Sequence, residues 1–409
     1  MLIKNIENSI VNIDISMYNL VMERQSYLNL INQYLRTHPV VAMLGPRQCG
    51  KTTLAKMYSS STSTFDQQNY FDLEDPTDLQ RLSTPKLTLD NLNGLIVIDE
   101  IQLNGDLFPV LRVLVDKTQN NQKYLILGSA SRELINKTSE TLAGRIAYIE
   151  ITPFSLVEAK EQPKLWLRGG FPKSYLAENN EDSWDWREFY ITTFLERDIP
   201  KLGINIPSVM LRRFWTMIAH YHGQIFNYSE LARSLNVSDA TIRRYLDILS
   251  GTFMVRQLQP WWENIKKRQV KAPKVYIRDS GIFHSLLDIR SQYDLERHPK
   301  LGASWEGFAL EEVIRAYKAK PHECFFWATH SGAELDLLIV RGSKKFGFEF
   351  KYGDAPKLTK SMKIAMEDLS LDSITVIYPG SINYRLSENI FVNSLSNLEL
   401  KMFGMEENL

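Results

Sequence analysis

The chain contains a glycine-rich segment, GPRQCGKT from Gly45 to Thr52, that matches the phosphate-binding pattern G-x-x-x-x-G-K-[ST]. The segment follows the apolar run VVAML and leads into TTLAKMYS, so it lies between a predicted strand and a predicted helix. Glycines let backbone N–H groups curl around a phosphate, and the helix start adds unpaired amides and a positive dipole end. We therefore predict a nucleotide site made of Gly45, Pro46, Arg47, Gln48, Cys49, Gly50, Lys51, Thr52 and Thr53.

A second motif, LIVIDE from Leu95 to Glu100, reads as a buried parallel strand that ends in an acidic pair. In an open α/β sheet, ligands bind at the carboxyl ends of the strands. Lys51 would contact the β- and γ-phosphates, and Thr52 and Asp99 would hold Mg²⁺. Glu100 would polarise a water for attack on the γ-phosphate. The predicted cofactors are therefore ATP and Mg²⁺.

Two more polar residues are candidates for the same reaction. Ser129 ends the apolar run YLILGS and would orient the attacking water; the structural alternative is a plain strand-end turn with Gly128. Arg145, in LAGRI, would reach the γ-phosphate of a neighbouring subunit as an arginine finger. The alternative is a surface ion pair of Arg145 with Glu140, and Arg132 is the second choice for the finger.

Another set of reactive side chains lies in ELDLLIVRGSKKFGFEFK. Alternation along a strand places Glu349 and Lys351 on one face, and pairing as a hairpin would bring Asp336 to them. The arrangement resembles the Asp and E-x-K of restriction-endonuclease-like nucleases. Such carboxylates would hold Mg²⁺ and generate hydroxide. The alternative is a strand whose charges are merely solvated, and whether the domain cuts DNA is left open.

The preceding helix, WEGFALEEVIRAYKA, would supply a further carboxylate to that site. Glu311 is the first choice, and Glu306 and Glu312 are the other candidates.

The middle of the chain contains NYSELARSLNVSDATIRRYLDIL, which fits a helix-turn-helix with Asn227 or Ser229 capping one helix and Ser238 the next. Arg243 and Arg244, with Ala240 and Thr241, would face a DNA groove, whereas Ile242, Tyr245 and Leu246 would face the core. A predicted hairpin wing follows, with a basic stripe that would neutralise phosphates. The stripe consists of Lys266, Lys267, Arg268, Lys271, Lys274 and Arg278.

A winged helix is not specific to DNA. The same fold serves in protein docking and as a lid in ATPases, and a basic hairpin is often a solvated edge.

Composition sets broad limits on these interpretations. The 409 residues suggest two or three domains, and equal numbers of basic and acidic residues give no indication for or against nucleic acid. Two cysteines provide neither a disulfide framework nor a zinc cluster, which favours a reducing cytoplasm. No apolar stretch reaches the roughly 20 residues of a membrane span. We therefore expect a cytoplasmic protein without membrane contact.

Seven segments of the chain, taken together and in their order along the sequence, resemble the prokaryotic AAA-type (AAA+) ATPases that carry a C-terminal domain of unknown function. The resemblance spans nearly the whole chain. It implies that Lys51 and Thr52 bind ATP and Mg²⁺ and that Asp99 and Glu100 are the acidic pair. It implies an ATPase without a defined task. The segments are GPRQCGKTTLA, YFDLEDP, LIVIDEIQ, LGSAS, LAGRI, RGGFP and FLERDI.

The predicted fold class is α/β, with four successive parts. Residues 1–37 are an N-terminal helical lead, and residues 38–184, where strands alternate with helices, form a P-loop AAA+ parallel-sheet domain with a lid segment. Residues 185–292 form a winged-helix domain, and residues 293–409 form a restriction-endonuclease-like α/β domain.

These predictions combine into an ATP-hydrolysing motor that acts on DNA in repair, branched-DNA recombination or defence. ATP would bind between subunits of a ring, with a hexamer as the candidate assembly, and the C-terminal domain would bind or cut DNA. The alternative is a nucleotide-gated regulator or scaffold with a non-cutting, partner-binding C-terminal domain. A small-molecule kinase is a weaker third hypothesis, since no acceptor site is evident and Glu100 favours water as the nucleophile.

Overall fold

The structure is a computed structural model that describes residues 24–117, 121–130, 142–262 and 271–398. The chain divides into two compact units, Met1–Lys160 and Glu161–Leu409. Among the helices in the described ranges, none is both long enough and apolar enough to cross a membrane.

A five-stranded sheet forms the centre of the first unit. Its strands are β1 (Val40–Leu44), β2 (Phe65–Asp72), β3 (Leu95–Asp99), β4 (Lys123–Gly128) and β5 (Ile146–Glu150). They lie in the order β2-β3-β4-β1-β5, and every neighbouring pair is parallel. β1 and β3 are buried along their whole length, as expected for apolar strands covered on both faces. The parallel α/β sheet predicted for the ATPase segment is confirmed.

Helices of the first unit precede, connect or follow these strands. They are α1 (Gln25–Thr37), α2 (Lys51–Ser60), α3 (Pro76–Arg81), α4 (Pro85–Asp90), α5 (Leu107–Val115) and α6 (Leu156–Ala159). Two glycines shape the loop between β1 and α2. Gly50 caps α2 with φ of 97°, a left-handed conformation that favours glycine. Gly45 lies so close to the end of β5 that an added Cβ atom would be 2.0 Å from the carbonyl oxygen of Ile151.

A nine-stranded mixed sheet runs through the second unit in the order β13-β14-β12-β11-β10-β9-β7-β8-β6. The strands are β6 (Gln224–Ile225), β7 (Val255–Pro260), β8 (Lys274–Ile277), β9 (Cys324–Ala328), β10 (Glu334–Arg341), β11 (Lys344–Phe350), β12 (Ser373–Tyr378), β13 (Tyr384–Ser387) and β14 (Ile390–Ser394). The predicted hairpin of β10 and β11 is present and antiparallel. β7 pairs with β9 in parallel, so one sheet includes strands from both segments that the sequence assigned to separate domains.

Helices of the second unit precede and follow these strands. They are α7 (Gln162–Arg168), α8 (Pro172–Tyr175), α9 (Asn180–Thr193), α10 (Ile199–Lys201), α11 (Ser208–Tyr221), α12 (Tyr228–Leu235), α13 (Asp239–Gly251), α14 (Ser280–Leu286), α15 (Gln292–Arg297), α16 (Leu301–Ala316) and α17 (Lys360–Leu369). The Asn227 side chain caps α12 and the Ser238 side chain caps α13. Asn236 makes the turn between them with φ of 53°.

The RGGFP segment has a packing role within the second unit. Gly169 has φ of 75°, and a Cβ atom there would lie 2.1 Å from Oδ1 of Asp279. Asp279 also accepts a hydrogen bond from the backbone N–H of Gly170 at 2.8 Å. The buried Arg187 of α9 donates to the carbonyl oxygen of Gly281 at 2.9 Å. These contacts join α7, α9 and α14.

Candidate active site

Lys51 begins α2, and its ammonium group folds back over the phosphate loop. Nζ donates to the carbonyl oxygens of Gly45 at 3.0 Å and Pro46 at 2.8 Å, and lies 3.4 Å from Oγ of Ser129. The side chain is buried. A phosphate oxygen carries negative charge and therefore attracts an ammonium group more strongly than a neutral carbonyl oxygen does. A phosphate in the loop would therefore compete well for this ammonium group.

Asp99 ends β3 and shares one oxygen between two hydroxyl groups. Its Oδ2 accepts from Oγ1 of Thr52 at 2.7 Å and from the phenol of Tyr70 at 3.0 Å. Burial raises the pKa of Asp99. A hydroxyl and a carboxylate are oxygen ligands of the kind that Mg²⁺ takes, and a cation would offset the buried charge. The residues present therefore fit a nucleotide-bound Mg²⁺, with Thr52 and Asp99 as the protein groups that would hold it.

Glu100 is held in place by two neighbours. It has φ of 54°, a left-handed backbone conformation that costs about 1–3 kcal/mol in a residue other than glycine. Oγ of Ser129 donates to Oε2 of Glu100 at 2.9 Å, and the side-chain amide of Gln102 also donates to that oxygen. Oε1 of Gln102 accepts from the Ser129 N–H at 3.3 Å. This network ties the carboxylate to the end of β4.

The remaining loop residues have different surroundings. Arg47 forms an ion pair with Glu74 at 2.8 Å. Cys49 is fully buried, and burial raises the pKa of its thiol. Gln48 and Thr53 are exposed. The structure thus brings the predicted Lys51, Thr52, Asp99, Glu100 and Ser129 together at one edge of the sheet.

Arg145 lies beside the amino end of β1, whereas the phosphate loop lies at the carboxyl end of the same strand. Its carbonyl oxygen accepts from the N–H of Val40, the first residue of β1, whereas the phosphate loop follows the last residue, roughly 16 Å further along. The guanidinium forms a two-point ion pair with Asp116 at 2.5 and 2.9 Å. Arg145 is therefore out of reach of its own phosphate loop, and its role in a neighbouring subunit stays a prediction. Arg132 and Glu140 lie outside the described residues.

Three residues at this site were not predicted from the sequence: Tyr70, Gln102 and Arg24. Arg24 is buried and pairs with Glu158 at 2.5 Å. It also donates to the carbonyl oxygen of Cys49 at 3.1 Å, and this hydrogen bond helps to hold the backbone of the phosphate loop. Tyr70 and Gln102 lie near strand ends, the placement that pointed to Ser129, whereas Arg24 has no motif around it.

In the second unit, the structure brings the predicted Asp336, Glu349 and Lys351 together. Nζ of Lys351 lies 2.7 Å from Glu349 and 3.9 Å from Asp336. Oδ2 of Asp336 accepts the backbone N–H of Phe350 at 3.1 Å. Burial, followed by the charge of Asp336, raises the pKa of Glu349.

Glu311, the first choice for the third carboxylate, makes other contacts. It is buried in ion pairs with Arg256 at 2.5 Å and Arg278 at 3.4 Å, and Arg256 and the other neighbouring arginines lower its pKa despite the opposing effect of burial. Glu312 pairs with Arg315 at 2.5 Å. Glu306 is the residue of α16 that shares a partner with Asp336: Nζ of Lys274 lies 3.5 Å from Glu306 and 3.4 Å from Asp336. Glu306, one of the two other candidates, therefore takes the place expected for Glu311.

The basic stripe also needs correction at two positions. Lys274 is buried at the start of β8 among carboxylates, and Arg278 is paired with Glu311, so neither is available to phosphates. Lys271 is exposed. Lys266, Lys267 and Arg268 lie outside the described residues.

The predicted recognition helix, α13, has the expected two faces. Ile242, Tyr245 and Leu246 are buried, and Arg243 and Arg244 are exposed. The guanidinium carbon of Arg243 lies 3.9 Å from the ring centroid of Tyr228, the first residue of α12. Stacking on an aromatic ring holds the guanidinium plane and leaves its N–H groups free to bind acceptors.

Comparison with known proteins places the chain in a family. It is 48% identical over 373 residues to an uncharacterized protein of Mycobacterium tuberculosis and, with the same figures, to one of Mycobacterium bovis. The aligned region covers 91% of this chain and 83% of each relative. The chain belongs to the family of these two mycobacterial proteins. An uncharacterized protein of Haemophilus influenzae is similar to this family member at 23% identity over 293 residues, 64% of this chain and 72% of that protein.

Three domain families match successive parts of this family member. Residues 37–160 match the family described as AAA domain. Residues 159–293 and 301–398 match two domains of unknown function, DUF8612 and DUF4143. The AAA match contains the phosphate loop and the acidic pair whose geometry is given above. The first unit is therefore a P-loop ATPase domain of the AAA type.

Solved structures provide weaker likenesses. A Walker-type ATPase of Pyrococcus abyssi aligns with 65% of this chain and 96% of its own at a TM-score of 0.46 and 14% identity. RuvB of Thermotoga maritima aligns with 59% of this chain and 91% of its own at 0.32 and 17%. The Orc1 protein of Aeropyrum pernix, solved in complex with DNA, aligns with 66% and 93% at 0.31 and 11%. TM-scores at this level support no conclusion about function.

Proposed function

We propose that the protein is an ATP-hydrolysing motor that acts on DNA. The observation that supports ATP hydrolysis is the joint placement of the Thr52–Asp99 hydrogen bond at 2.7 Å and the Glu100–Ser129 hydrogen bond at 2.9 Å beside Lys51. One pair suits the metal ion of the nucleotide, and the other suits the attacking water.

Each residue of this edge has a separate task in the proposal. The loop amides and Lys51 bind the phosphates, and Mg²⁺, held by Thr52 and Asp99, would supply charge neutralisation when bound. Glu100 accepts a proton from the attacking water, and Ser129 fixes the direction of the Glu100 carboxylate. A carboxylate in a hydrogen-bonded, strained position is pre-organised for this task because it needs little rearrangement.

The subunits would assemble into a ring, with a hexamer as the candidate, in which Arg145 of one subunit reaches the ATP of the next. Within one chain, Arg145 lies beside the amino end of β1 and the phosphate loop lies at the carboxyl end, so only a neighbouring molecule could use Arg145. Its ion pair with Asp116 would have to open on assembly.

DNA contact is assigned to the second unit. Residues 185–292 would act as a winged helix with Arg243 and Arg244 of α13 as groove contacts and Lys271 as a phosphate contact, because all three are exposed. Residues 293–409 would form a nuclease-like part that adds to DNA binding. Lys266, Lys267 and Arg268 remain candidate phosphate contacts from the sequence. Repair, recombination and defence would each suit such a motor.

The decisive experiment measures ATP turnover with and without single-stranded, duplex and branched DNA. The proposal expects DNA to stimulate turnover and the double variant Arg243→Ala/Arg244→Ala to lose stimulation while keeping basal turnover. Arg233→Ala, at an exposed arginine of α12, is the matched control and should keep the stimulation. Turnover that ignores every DNA form, together with no DNA binding, would favour the nucleotide-gated scaffold instead.

Two variants test the nucleotide site independently of DNA. Lys51→Ala should abolish turnover by weakening nucleotide binding. Glu100→Gln should bind ATP normally but slow hydrolysis by roughly 100-fold or more, because the carboxylate base is lost. Rapid hydrolysis by Glu100→Gln would assign the base to another residue.

A further inference from the structure

Lys274 occupies the middle of the carboxylate cluster in the second unit. It starts β8, and 2% of its surface is exposed. Its Nζ lies 3.4 Å from Oδ1 of Asp336 and 3.5 Å from Oε1 of Glu306, and it also contacts Glu334. An ammonium group is a compact positive charge with three donors. It therefore sits where a cation bound by these three carboxylates would have to lie.

Protein groups contact at least one oxygen of each of three carboxylates in this cluster. Oε1 of Glu306 accepts from the phenol of Tyr276 at 2.7 Å. Oδ2 of Asp336 accepts from the Phe350 N–H at 3.1 Å, and Oε2 of Glu349 lies 2.7 Å from Lys351. Mg²⁺ requires near-octahedral oxygen ligands at about 2.1 Å. Across the described ranges, no group of three or more His, Cys, Asp or Glu side chains is arranged to hold a metal ion.

Two lysines supply positive charge to the carboxylate cluster. Lys274 and Lys351 together supply two positive charges, the charge of one divalent ion, and both are fixed to the fold by β8 and by the end of β11. A buried carboxylate without a partner is costly, and these two ammonium groups offset part of the negative charge of Glu306, Glu334, Asp336 and Glu349.

We propose that Lys274 replaces the metal ion of the nuclease-like site, so that the second unit holds its carboxylates together without a metal and does not cleave phosphodiester bonds. Without a bound metal, the site lacks the Lewis acid that lowers the pKa of a bound water to about 7. The cluster is then a structural element of a DNA-binding unit. This inference rests on the nuclease-like interpretation within the proposed function. The unfolding test uses neither DNA nor nucleotide, so the two proposals can fail separately.

The test is thermal unfolding of the full, nucleotide-free chain with and without Mn²⁺, followed by tryptophan fluorescence. All eight tryptophans lie in the second unit, so the signal reports on that unit. The wild type should unfold at the same temperature with and without Mn²⁺. Lys274→Met should unfold about 10 °C lower, because it leaves buried carboxylates unpaired. Mn²⁺ should then restore part of that loss, because the freed carboxylates can bind the ion.

Three further variants make the result specific. Lys271→Met removes an exposed lysine three residues away and should respond to Mn²⁺ no more than the wild type does. Lys274→Met/Asp336→Asn should lose the Mn²⁺ effect because a ligand is gone. If Lys274→Met does not fold, Lys274→Gln replaces it, and refolding that occurs only with Mn²⁺ supports the proposal equally.

Three results would overturn the proposal. One is stabilisation of the wild type by Mn²⁺ that Asp336→Asn removes. The second is nicking of supercoiled plasmid by the wild type in Mg²⁺ that Asp336→Asn abolishes. A folded Lys274→Met variant that ignores Mn²⁺ would also refute the idea that Lys274 holds the place of a cation.

Discussion

Replacing His284 by Gln should flatten the dependence of stability on pH in the second unit. His284 is fully buried in α14. Its Nδ1 lies 3.0 Å from the carbonyl oxygen of Leu167, which can only accept, so Nδ1 carries the proton. Nε2 lies 2.7 Å from Oγ of Ser304, which itself accepts from Nε1–H of Trp166 at 2.9 Å. The neutral ring therefore satisfies both nitrogens, and the Ser304 hydroxyl donates to Nε2.

A second proton would break this arrangement, and the direction of the effect follows from the pKa. Burial lowers the pKa of His284 to about 3, against about 6.5 in an unfolded chain. Below about pH 6.5 the His284 side chain binds a second proton in the unfolded chain but not in the folded chain. Stability is therefore present above that pH and is lost as the pH falls toward 3. At about pH 5 the loss due to His284 is ~2 kcal/mol.

The assay is urea unfolding followed by tryptophan fluorescence at several pH values from about 7.5 to 5. Gln can keep a donor and an acceptor but does not titrate. Between about pH 7.5 and 5, the free energy of unfolding of His284→Gln should therefore fall by ~2 kcal/mol less than that of the wild type, whatever the stability of the variant at neutral pH. Titrating groups that do not interact with His284 are common to both proteins and cancel in the comparison; His222 is the exception, because burial and then His284 lower its pKa.

His220→Gln is the matched control, since His220 is an exposed histidine of the same unit. Its curve should run parallel to that of the wild type. If the His284→Gln curve is also parallel to the wild-type curve, the folded protein accepts the proton at His284 without cost, and the argument from the Ser304 and Leu167 contacts is wrong.

Three other substitutions test contacts described above. Arg24→Ala should lower the free energy of unfolding of the first unit by ~3–5 kcal/mol in urea melts followed by far-UV circular dichroism, because the Glu158 carboxylate loses its ion-pair partner. The control Arg36→Ala, at an exposed arginine, should change the free energy of unfolding by less than ~0.5 kcal/mol. Equal effects of the two substitutions would contradict the role of the ion pair. Gly169→Ala should destabilise the second unit by at least ~2 kcal/mol more than Gly203→Ala, since both glycines have φ of 75° but only Gly169 has an atom in the way. Gln102→Ala should reduce kcat about tenfold or more with nucleotide affinity unchanged, because Glu100 loses one of its two positioning contacts; a loss of affinity alone would place Gln102 in nucleotide binding.

The first unit was predictable because its chemistry is encoded locally. The run VVAML coincides with β1, LIVID coincides with β3, and the phosphate-loop pattern sets its own backbone geometry. The acidic pair and Ser129 follow from the rule that parallel strands present their carboxyl ends at one edge. Gln102 was not predicted because its role depends on a turn after Glu100, and no sequence pattern indicates that turn.

The second unit was less predictable because its site depends on distant partners. Asp336 and Lys274 are 62 positions apart, and no periodicity in the sequence marks them as neighbours. Read in the sequence, Lys274 belongs to a basic stripe; in the fold it is the first residue of a buried strand. Glu306 and Glu311 lie on one helix with similar surroundings in the sequence, and only the positions of Arg256 and Lys274 distinguish them.

The shared sheet of the second unit determines what can be learned from pieces of this protein. β9 has β7 as its neighbour, with Pro260 beside Phe326. A gene fragment that begins at residue 293 would leave that flank of β9 bare and prone to pair with other chains. It would also lack Lys274, leaving three acidic side chains short of a counter-charge. If Lys274 fills the position of a cation as proposed, we expect such a fragment to bind divalent ions more readily than the intact polypeptide does.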